Sequence, residues 1–316
     1  MVSKAHSDSL EVVAEYSYSR GLPERIKNEI EASLAIDQAD ARAAGQLGFV
    51  ARALVQATMP YKDPKTDVFT RKNGEMTLKI MTAAGGGVPF GIYPRLLLSW
   101  VTTEAVRTKS PEIVLGESLG RFLKGLNIQR GSANERFLMQ TQRLFSSHIN
   151  VMRKSTQKRP GFEVRNIAVV SSARVTDIDA VTCWQPQDIE DAGRWQSRLE
   201  LTNEFFKEIT DSPVPIDLRA YVALKGSPMA MDIYSWLTYR MSYLRGPTKP
   251  IPWELLQMQF GANFPFDSQG LRNFKKAFIL ALKHVAIVYP EAKVQVEDKG
   301  LGLLPSPTHV PQKSLF

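Results

Sequence analysis

Residues 99–149 read SWVTTEAVRTKSPEIVLGESLGRFLKGLNIQRGSANERFLMQTQRLFSSHI, and residues 235–285 read SWLTYRMSYLRGPTKPIPWELLQMQFGANFPFDSQGLRNFKKAFILALKHV. When the chain is shifted by 136 residues, eleven of these 51 positions are identical without a gap, against roughly three expected from average residue usage. The identical pairs include Ser99 with Ser235, Trp100 with Trp236 and His148 with His284. We interpret the two stretches as copies of one helical unit.

Composition limits the class of protein. The 316 residues predict two or three domains, and a hydrophobic content of 43% is enough to build their cores. The single cysteine, Cys183, excludes an intramolecular disulfide and is typical of a reducing cytoplasm. We expect no signal peptide and no membrane span, because no long apolar run occurs. The expected location is the cytoplasm.

The charge distribution indicates two basic surfaces. The net charge is +8. Residues 120–165 contain ten basic and two acidic residues, and residues 240–283 contain seven and two, whereas residues 177–217 contain three and ten. Both basic stretches fall on the repeated unit, which favours binding to phosphate over a merely solvated surface.

The periodicity predicts the same order of elements in both copies. In the first copy it predicts a helix from Tyr93, a short strand at 113–115, a helix at 118–126, a helix from Ser132 to about Met152 and a hairpin over 162–175. In the second copy it predicts helices over 229–244, 253–260 and 267–288, then strands over 293–296 and 301–304. Helix, strand, two helices and hairpin is the order of a winged helix.

The predicted fold class is therefore α+β and mainly helical, with two tandem winged-helix domains related by internal duplication. Residues 1–22 are expected to be a flexible N-terminus. Residues 23–180 are expected to form the first winged-helix domain, with a helical extension from Pro23 to about Met59. Residues 181–316 are expected to form the second domain.

The candidate DNA-binding residues lie on the predicted third helices and at the tip of the first wing. Arg136, Gln140 and Arg143 stand at helical spacing and have side chains suited to base edges. The candidates on the second copy are Arg272, Lys275, Lys276 and Lys283, of which the lysines are suited to phosphate contact. The candidates at the basic wing tip are Arg153, Lys154, Lys158 and Arg159. A solvated helix face remains the alternative for each of these residues.

No catalytic or metal-binding motif is evident in the sequence. Gly85 to Gly87 are not followed by the lysine and hydroxyl residue of a nucleotide-binding loop. One cysteine and four scattered histidines cannot form a zinc cluster. We therefore expect no cofactor, no metal and no enzymatic activity.

The run VPFGIYPRLLLSWVTTEAVRTKS at residues 88–110 resembles the plasmid-encoded RepA replication proteins of broad-host-range bacterial plasmids. IVLG at 113–116, Ser118-Leu119 and LLPSP at 303–307 also fit that family. The resemblance implies a replication initiator that binds double-stranded origin DNA at repeated sites, or iterons, and helps to open the origin. It further implies recruitment of host replication initiator and helicase proteins, and a homodimer in exchange with a monomer.

Two other functions remain open from the sequence. A transcriptional repressor built from the same modules would also bind DNA through basic helices, without initiating replication. A primase-like polymerase is the enzymatic alternative, although clustered acidic residues suited to metal ions are not evident on the basic segments.

Overall fold

A computed structural model describes residues 22–82, 86–114, 123–124, 132–155, 161–174, 198–261 and 263–311. The α-helices are α1 (Glu24–Gln38), α2 (Arg52–Gln56), α3 (Ile92–Thr108), α4 (Ser132–Phe145), α5 (Asn203–Asp211), α6 (Leu218–Ala223), α7 (Pro228–Tyr243), α8 (Trp253–Phe260) and α9 (Ser268–Val288). The strands are β1 (Leu47–Val50), β2 (Val68–Asn73), β3 (Met76–Thr82), β4 (Glu112–Val114), β5 (Ser147–Ser155), β6 (Gly161–Ala168), β7 (Val170–Arg174), β8 (Arg198–Leu201), β9 (Val214–Asp217), β10 (Ile251–Pro252), β11 (Val294–Val296) and β12 (Gly300–Leu303). Helices and antiparallel strands together confirm the α+β class.

The chain divides into two compact units. The terminal unit contains the described residues up to 50, residues 54–58 and the described residues from 214 onward. The central unit contains residues 51–53 and the described part of 59–213. This division differs from the predicted boundary at residue 180, because α1 and β1 belong with the C-terminal segment.

The terminal unit is built around α7, which is buried along most of its length. A cluster of edge-to-face aromatic rings joins α7 to α8 and α9: Trp236 contacts Phe260 at 5.6 Å and Phe260 contacts Phe278 at 5.5 Å between ring centroids. The three-stranded sheet of this unit has the order β10-β12-β11, with all pairs antiparallel. A Cβ on Gly300 would lie 2.2 Å from the carbonyl oxygen of Ile251, so the close approach of β12 to β10 requires glycine.

The central unit contains two antiparallel sheets. One has the order β2-β3-β5-β6, and the other has the order β4-β8-β7. Alternate residues of β3 and β5 are buried, and Ile80 faces Ile149 across the core side of the larger sheet. Helices α3 and α4 pack against each other, through contacts that include the edge-to-face pair Tyr93 and Phe137.

The two repeated segments have corresponding helices. Helix α3 begins at Ile92 and α7 begins at Pro228, and α4 and α9 begin at Ser132 and Ser268, so both pairs of starts differ by 136. In the central unit, β4 follows α3 and pairs with β8, the middle strand of its three-stranded sheet. In the terminal unit, β10 follows α7 and pairs with β12, which is also the middle strand of a three-stranded sheet. The predicted helix at 118–126 falls largely outside the described residues, which include only residues 123–124 of it.

The buried residues of α4 and α9 do not correspond at the shift of 136 residues that relates the first residues of these helices. Phe137, Thr141 and Leu144 are buried on α4, and Phe274, Phe278 and Ala281 are buried on α9. These positions differ by 137, whereas the buried stretches of α3 and α7 correspond at 136. One residue rotates a helix by about 100°. The gapless alignment therefore pairs inward positions of α4 with outward positions of α9.

The expected N-terminal helix from Pro23 to about Met59 is wrong, because α1 ends at Gln38. Asp40 accepts hydrogen bonds from the backbone N–H groups of Arg42 and Ala43, both at 2.9 Å. Such side-chain bonds compete with the helical pattern and favour a turn. Strand β1 follows and pairs with β9.

The predicted end of the third helix at Met152 is also wrong. Helix α4 ends at Phe145, and Ile149 and Val151 are buried on alternate positions of β5. That period of two is the strand pattern. The predicted hairpin over 162–175 does not form either, since β6 pairs with β5 and β7 pairs with β8.

Candidate nucleic-acid interface

The turn between α8 and α9 is held by specific contacts. The Gln257 side-chain amide donates to the carbonyl of Pro265 at 2.8 Å. Asp267 caps α9, since its carboxylate accepts from the N–H of Gly270 at 2.6 Å. A Cβ on Gly270 would lie 1.9 Å from the Pro265 carbonyl oxygen. Together these contacts fix how α9 leaves α8, as a helix-turn-helix requires.

Helix α9 presents a polar stripe to solvent. Its apolar side buries Phe274 and Phe278 in the core. The opposite side carries residues at helical spacing that are exposed or partly exposed: Gln269, Arg272, Asn273, Lys276, Leu280 and Lys283. We call these six residues the α9 stripe.

Hydrogen bonds order the first turn of the α9 stripe. The amide of Gln269 donates to the Asn273 side chain at 3.0 Å. Arg272 donates to Gln269 at 2.7 Å. Because these contacts are exposed, they orient the three side chains without burying them.

A groove of about 490 Å³ lies beside the α9 stripe, between α8, α9 and the β11–β12 turn. Its lining includes Trp253, Arg272, Lys275 and Lys299. The Lys275 ammonium lies 5.1 Å from the centre of the Trp253 ring and donates to the Asp298 carbonyl at 3.3 Å. The Trp253 ring N–H donates to the Glu297 carbonyl at 3.1 Å. The turn of the hairpin is thus held against α8 and α9.

The predicted base-reading set of the first copy does not share one face. Gln140 is 2% exposed, and its side-chain oxygen accepts from the N–H of Phe90 at 2.8 Å. The Arg143 side chain is 16% exposed and forms an ion pair with Asp63 at 3.3 Å. Its guanidinium also lies 5.3 Å from the centre of the Phe90 ring. Both side chains therefore hold the segment before α3 and are not presented to DNA in this structure.

The remaining first-copy candidates lie apart from that pair. Arg136 is exposed on α4. Arg153 is exposed near the end of β5, where Lys154 pairs with Phe162 in the register of β5 and β6. The side chain of Lys154 lies outside the described residues, as do Lys158 and Arg159 entirely. Arg153 and Lys154 therefore belong to a β5–β6 pair and not to the end of a helix.

The second-copy candidates are brought together. Arg272, Lys276 and Lys283 lie on the α9 stripe, and Lys275 faces the hairpin turn beside them. Sequence reasoning missed Gln269, Asn273 and Lys299. A signal for Gln269 and Asn273 was present in the sequence. They stand at helical spacing with Lys276, on the side of the helix opposite the apolar Phe274 and Phe278.

No group of three or more His, Cys, Asp or Glu side chains in the described part of the chain is arranged to hold a metal ion. In the same part of the chain, every helix is too short or too polar to cross a bilayer.

The fold defines an α+β protein in which a turn fixed by hydrogen bonds joins α8 to α9, beside a groove lined by three basic and two acidic residues. The family described as "Plasmid encoded RepA protein" matches residues 88–254, more than half of the chain. The chain belongs to that family and is a plasmid replication initiator. The match includes α3 and α7 and ends within α8, so α9 lies beyond it.

Other comparisons give two similar structures. Domains 2 and 3 of RctB, as a selenomethionine derivative, align with a TM-score of 0.47 at 14% identity, covering 80% of this chain and 95% of that one. A second structure of RctB domains 2 and 3 aligns with a TM-score of 0.45 at 12% identity, covering 80% and 96%. No curated protein sequence matches the chain.

Proposed function

We propose that the terminal unit binds double-stranded DNA of the plasmid origin in a sequence-specific manner, with α9 in the major groove. The α9 stripe is the observation that carries this proposal, because it places donors and acceptors on the exposed side of a helix whose other side is fixed in the core. A recognition helix reads base edges from such a stripe. The hairpin turn with Lys299 then lies where the wing of a winged helix contacts the backbone.

The side chains along α9 suit two kinds of DNA contact. The side-chain amides of Gln269 and Asn273 suit adenine, and the guanidinium of Arg272 suits guanine. Lys275, Lys276 and Lys283 suit phosphate oxygens, which position the protein without specifying sequence. This reverses the sequence prediction, in which the first copy reads bases and the second copy holds phosphate.

A binding assay tests the proposal. The protein is titrated into a fluorescent duplex from its own plasmid origin and into a scrambled duplex of equal composition, at about 50 to 200 mM salt. We expect the origin duplex to bind roughly 1,000-fold more tightly at the upper end of that range. Equal affinity for the two duplexes at every salt concentration would exclude sequence-specific binding.

A matched pair of variants tests the role of α9. Asn273→Ala should weaken binding to the origin duplex about tenfold, which is within the range for one lost base contact. Asn28→Ala is the control, because Asn28 is an exposed asparagine on α1. If the two variants bind the origin duplex alike, α9 is not the reading helix.

The finer properties of the initiator are also proposals, supported by the family. We infer binding at repeated origin sites, help in opening the origin, recruitment of host initiator and helicase proteins, and exchange between homodimer and monomer in the bacterial cytoplasm. We further infer that the chain acts by binding, without catalytic chemistry of its own. A plasmid that keeps its origin but lacks this gene should replicate only when the protein is supplied in trans.

A further inference from the structure

Phe266 is an exposed aromatic residue at the start of the proposed reading helix. Its relative exposure of 71% is higher than that of every other large hydrophobic residue in the described part of the chain. It directly precedes Asp267, the residue that caps α9. A hydrophobic residue at this position often packs onto the first turn of its helix as a staple. With 71% of its surface in water, Phe266 does not fill that role.

The backbone that carries Phe266 is fixed on both sides. The preceding Pro265 carbonyl accepts from Gln257, and the following Asp267 caps α9. The nearby Phe264 ring packs against Phe274 at 5.8 Å between centroids, so the turn is anchored in the core by a different aromatic ring. The Phe266 side chain is therefore held outward at a defined place without contributing much to the core.

The charge of this segment favours DNA as the partner of the ring. Residues 240–283 hold seven basic residues and two acidic ones, and the exposed Arg272 and Lys276 lie on the α9 stripe. An apolar group at the start of a helix that carries exposed cations suits a ligand that is anionic overall but has local apolar points. In the major groove that point is the C5-methyl group of thymine, which phenylalanine contacts in known complexes.

We propose that Phe266 is a specificity-determining residue that contacts a thymine methyl group next to the bases read by Gln269 and Asn273. This inference rests on the proposed binding of α9 in the major groove. The ring discriminates thymine from cytosine and from uracil through a contact that needs no hydrogen bond. It adds one position to the recognised sequence, at the end of the site that faces the N-terminus of α9.

The test replaces the methyl group without changing base pairing. A duplex is selected by the full-length protein from a random library, and each thymine is then exchanged singly for deoxyuridine. For the wild type, we expect one exchange to weaken binding about fourfold, the effect of losing one buried methyl group. For Phe266→Ala, we expect about fourfold weaker binding to the parent duplex and no further loss at that exchange.

The controls separate this inference from the proposed function. Leu34→Ala removes another exposed apolar side chain, 57% exposed on α1, and should bind every duplex as the wild type does. Thermal unfolding should show Phe266→Ala folded, since the ring is mostly in water. If selection yields a preferred duplex but Phe266→Ala retains the same uracil sensitivity, the inference is wrong and the proposed function stands.

Three other outcomes would also overturn the inference. Equal loss on every duplex would make Phe266 a non-specific contact. A change in sedimentation coefficient without a change in DNA affinity would make it a contact between protein chains. A failure to select any preferred duplex would remove both the proposed function and this inference.

Discussion

Gly270 is the residue on which the geometry of the α8–α9 turn depends. Its position in the first turn of α9 brings it against the carbonyl of Pro265, which is itself fixed by Gln257. The missing side chain lets the turn pack this closely. The neighbouring contacts are backbone atoms, which cannot rotate away as a flexible side chain does.

We expect Gly270→Ala to destabilise the terminal unit by roughly 1–3 kcal/mol, the usual cost of inserting a methyl group into a packed site. Gly246→Ala is the control, because a Cβ there would meet nothing within 4 Å. Urea unfolding of both variants measures the difference. Identical midpoints would show that the turn relaxes to accept the methyl group.

Residues in the run that resembles the family also have structural tasks. The buried Arg95 donates to the carbonyls of Met59 at 2.7 Å, Gly91 at 2.6 Å and Pro60 at 3.2 Å. Gly91 has a φ of 77°, a conformation that favours glycine, and its N–H donates to the Pro60 carbonyl. These residues therefore fix the segment that leads into α3.

At the scale of elements, α1 is attached to α9 by a buried polar contact. The fully buried carboxylate of Glu29 lies 2.8 Å from the ring nitrogen Nδ1 of His284 and accepts from Arg25 at 3.0 Å. Ile26 and Ile287 pack beside this contact. Helix α1 therefore packs on the C-terminal part of α9, next to Lys283 at the end of the α9 stripe.

Removing the carboxylate should weaken this attachment. We expect Glu29→Ala to cost about 1–3 kcal/mol, because His284 and Arg25 lose a buried partner. Glu24→Ala is the control: Glu24 pairs with Lys27 at 3.7 Å on the exposed side of the same helix, where such pairs contribute little. Chemical unfolding measures both. Equal losses of the free energy of unfolding in the two variants would show that the buried Glu29 contact stabilises the unit no more than the exposed pair does.

The bounds of a helix or strand could be predicted from the sequence where nearby residues determine them. The limits of α8 and α9 follow from Pro252, the Asp267 cap and the apolar period, and the structure confirms them. The strand β5 was missed because the helical period of α4 was continued past Phe145 to about Met152. The burial of Gln140 was missed because its polar side chain was assigned to the exposed face, although it lies three residues after Phe137 and four before Leu144, both of which are buried.

At the scale of the whole molecule, the order of residues along the chain is a poor guide to the units. Strand β1 pairs with β9, and α1 packs on α6 and α9, although the whole central unit, residues 51–53 and 59–213, separates them in sequence. Such pairings are set by which surfaces bury each other, so no composition shift marks them. The predicted boundary at residue 180 followed the acidic stretch instead.

The terminal unit also contains a buried histidine that links its stability to pH. The backbone N–H of Asp217 donates to the Tyr234 hydroxyl at 2.9 Å, which leaves the hydroxyl proton for Nδ1 of His309 at 2.6 Å. The His309 ring also packs on Tyr289, 4.6 Å away between centroids. This cluster joins β9 and α7 to the last described residues of the chain.

Burial lowers the pKa of His309 from 6.5 to about 4, and the nearby Arg219 charge acts in the same direction. Between those values the unfolded chain binds a proton that the folded chain excludes, so the free energy of unfolding falls as the pH is lowered from 6.5 towards 4. The loss from this residue should reach about 2 kcal/mol at pH 5. His309→Asn keeps a hydrogen-bond acceptor for Tyr234 without a titrating ring.

We therefore expect the free energy of unfolding of the wild type to fall more steeply than that of His309→Asn between pH 6.5 and 5. Urea unfolding at each pH measures both proteins. The other titrating groups are common to the two proteins and cancel in the difference, so the comparison isolates one side chain. Parallel pH profiles would mean that His309 is accessible to protons in the folded protein, and that the Tyr234 cluster opens without unfolding of the unit.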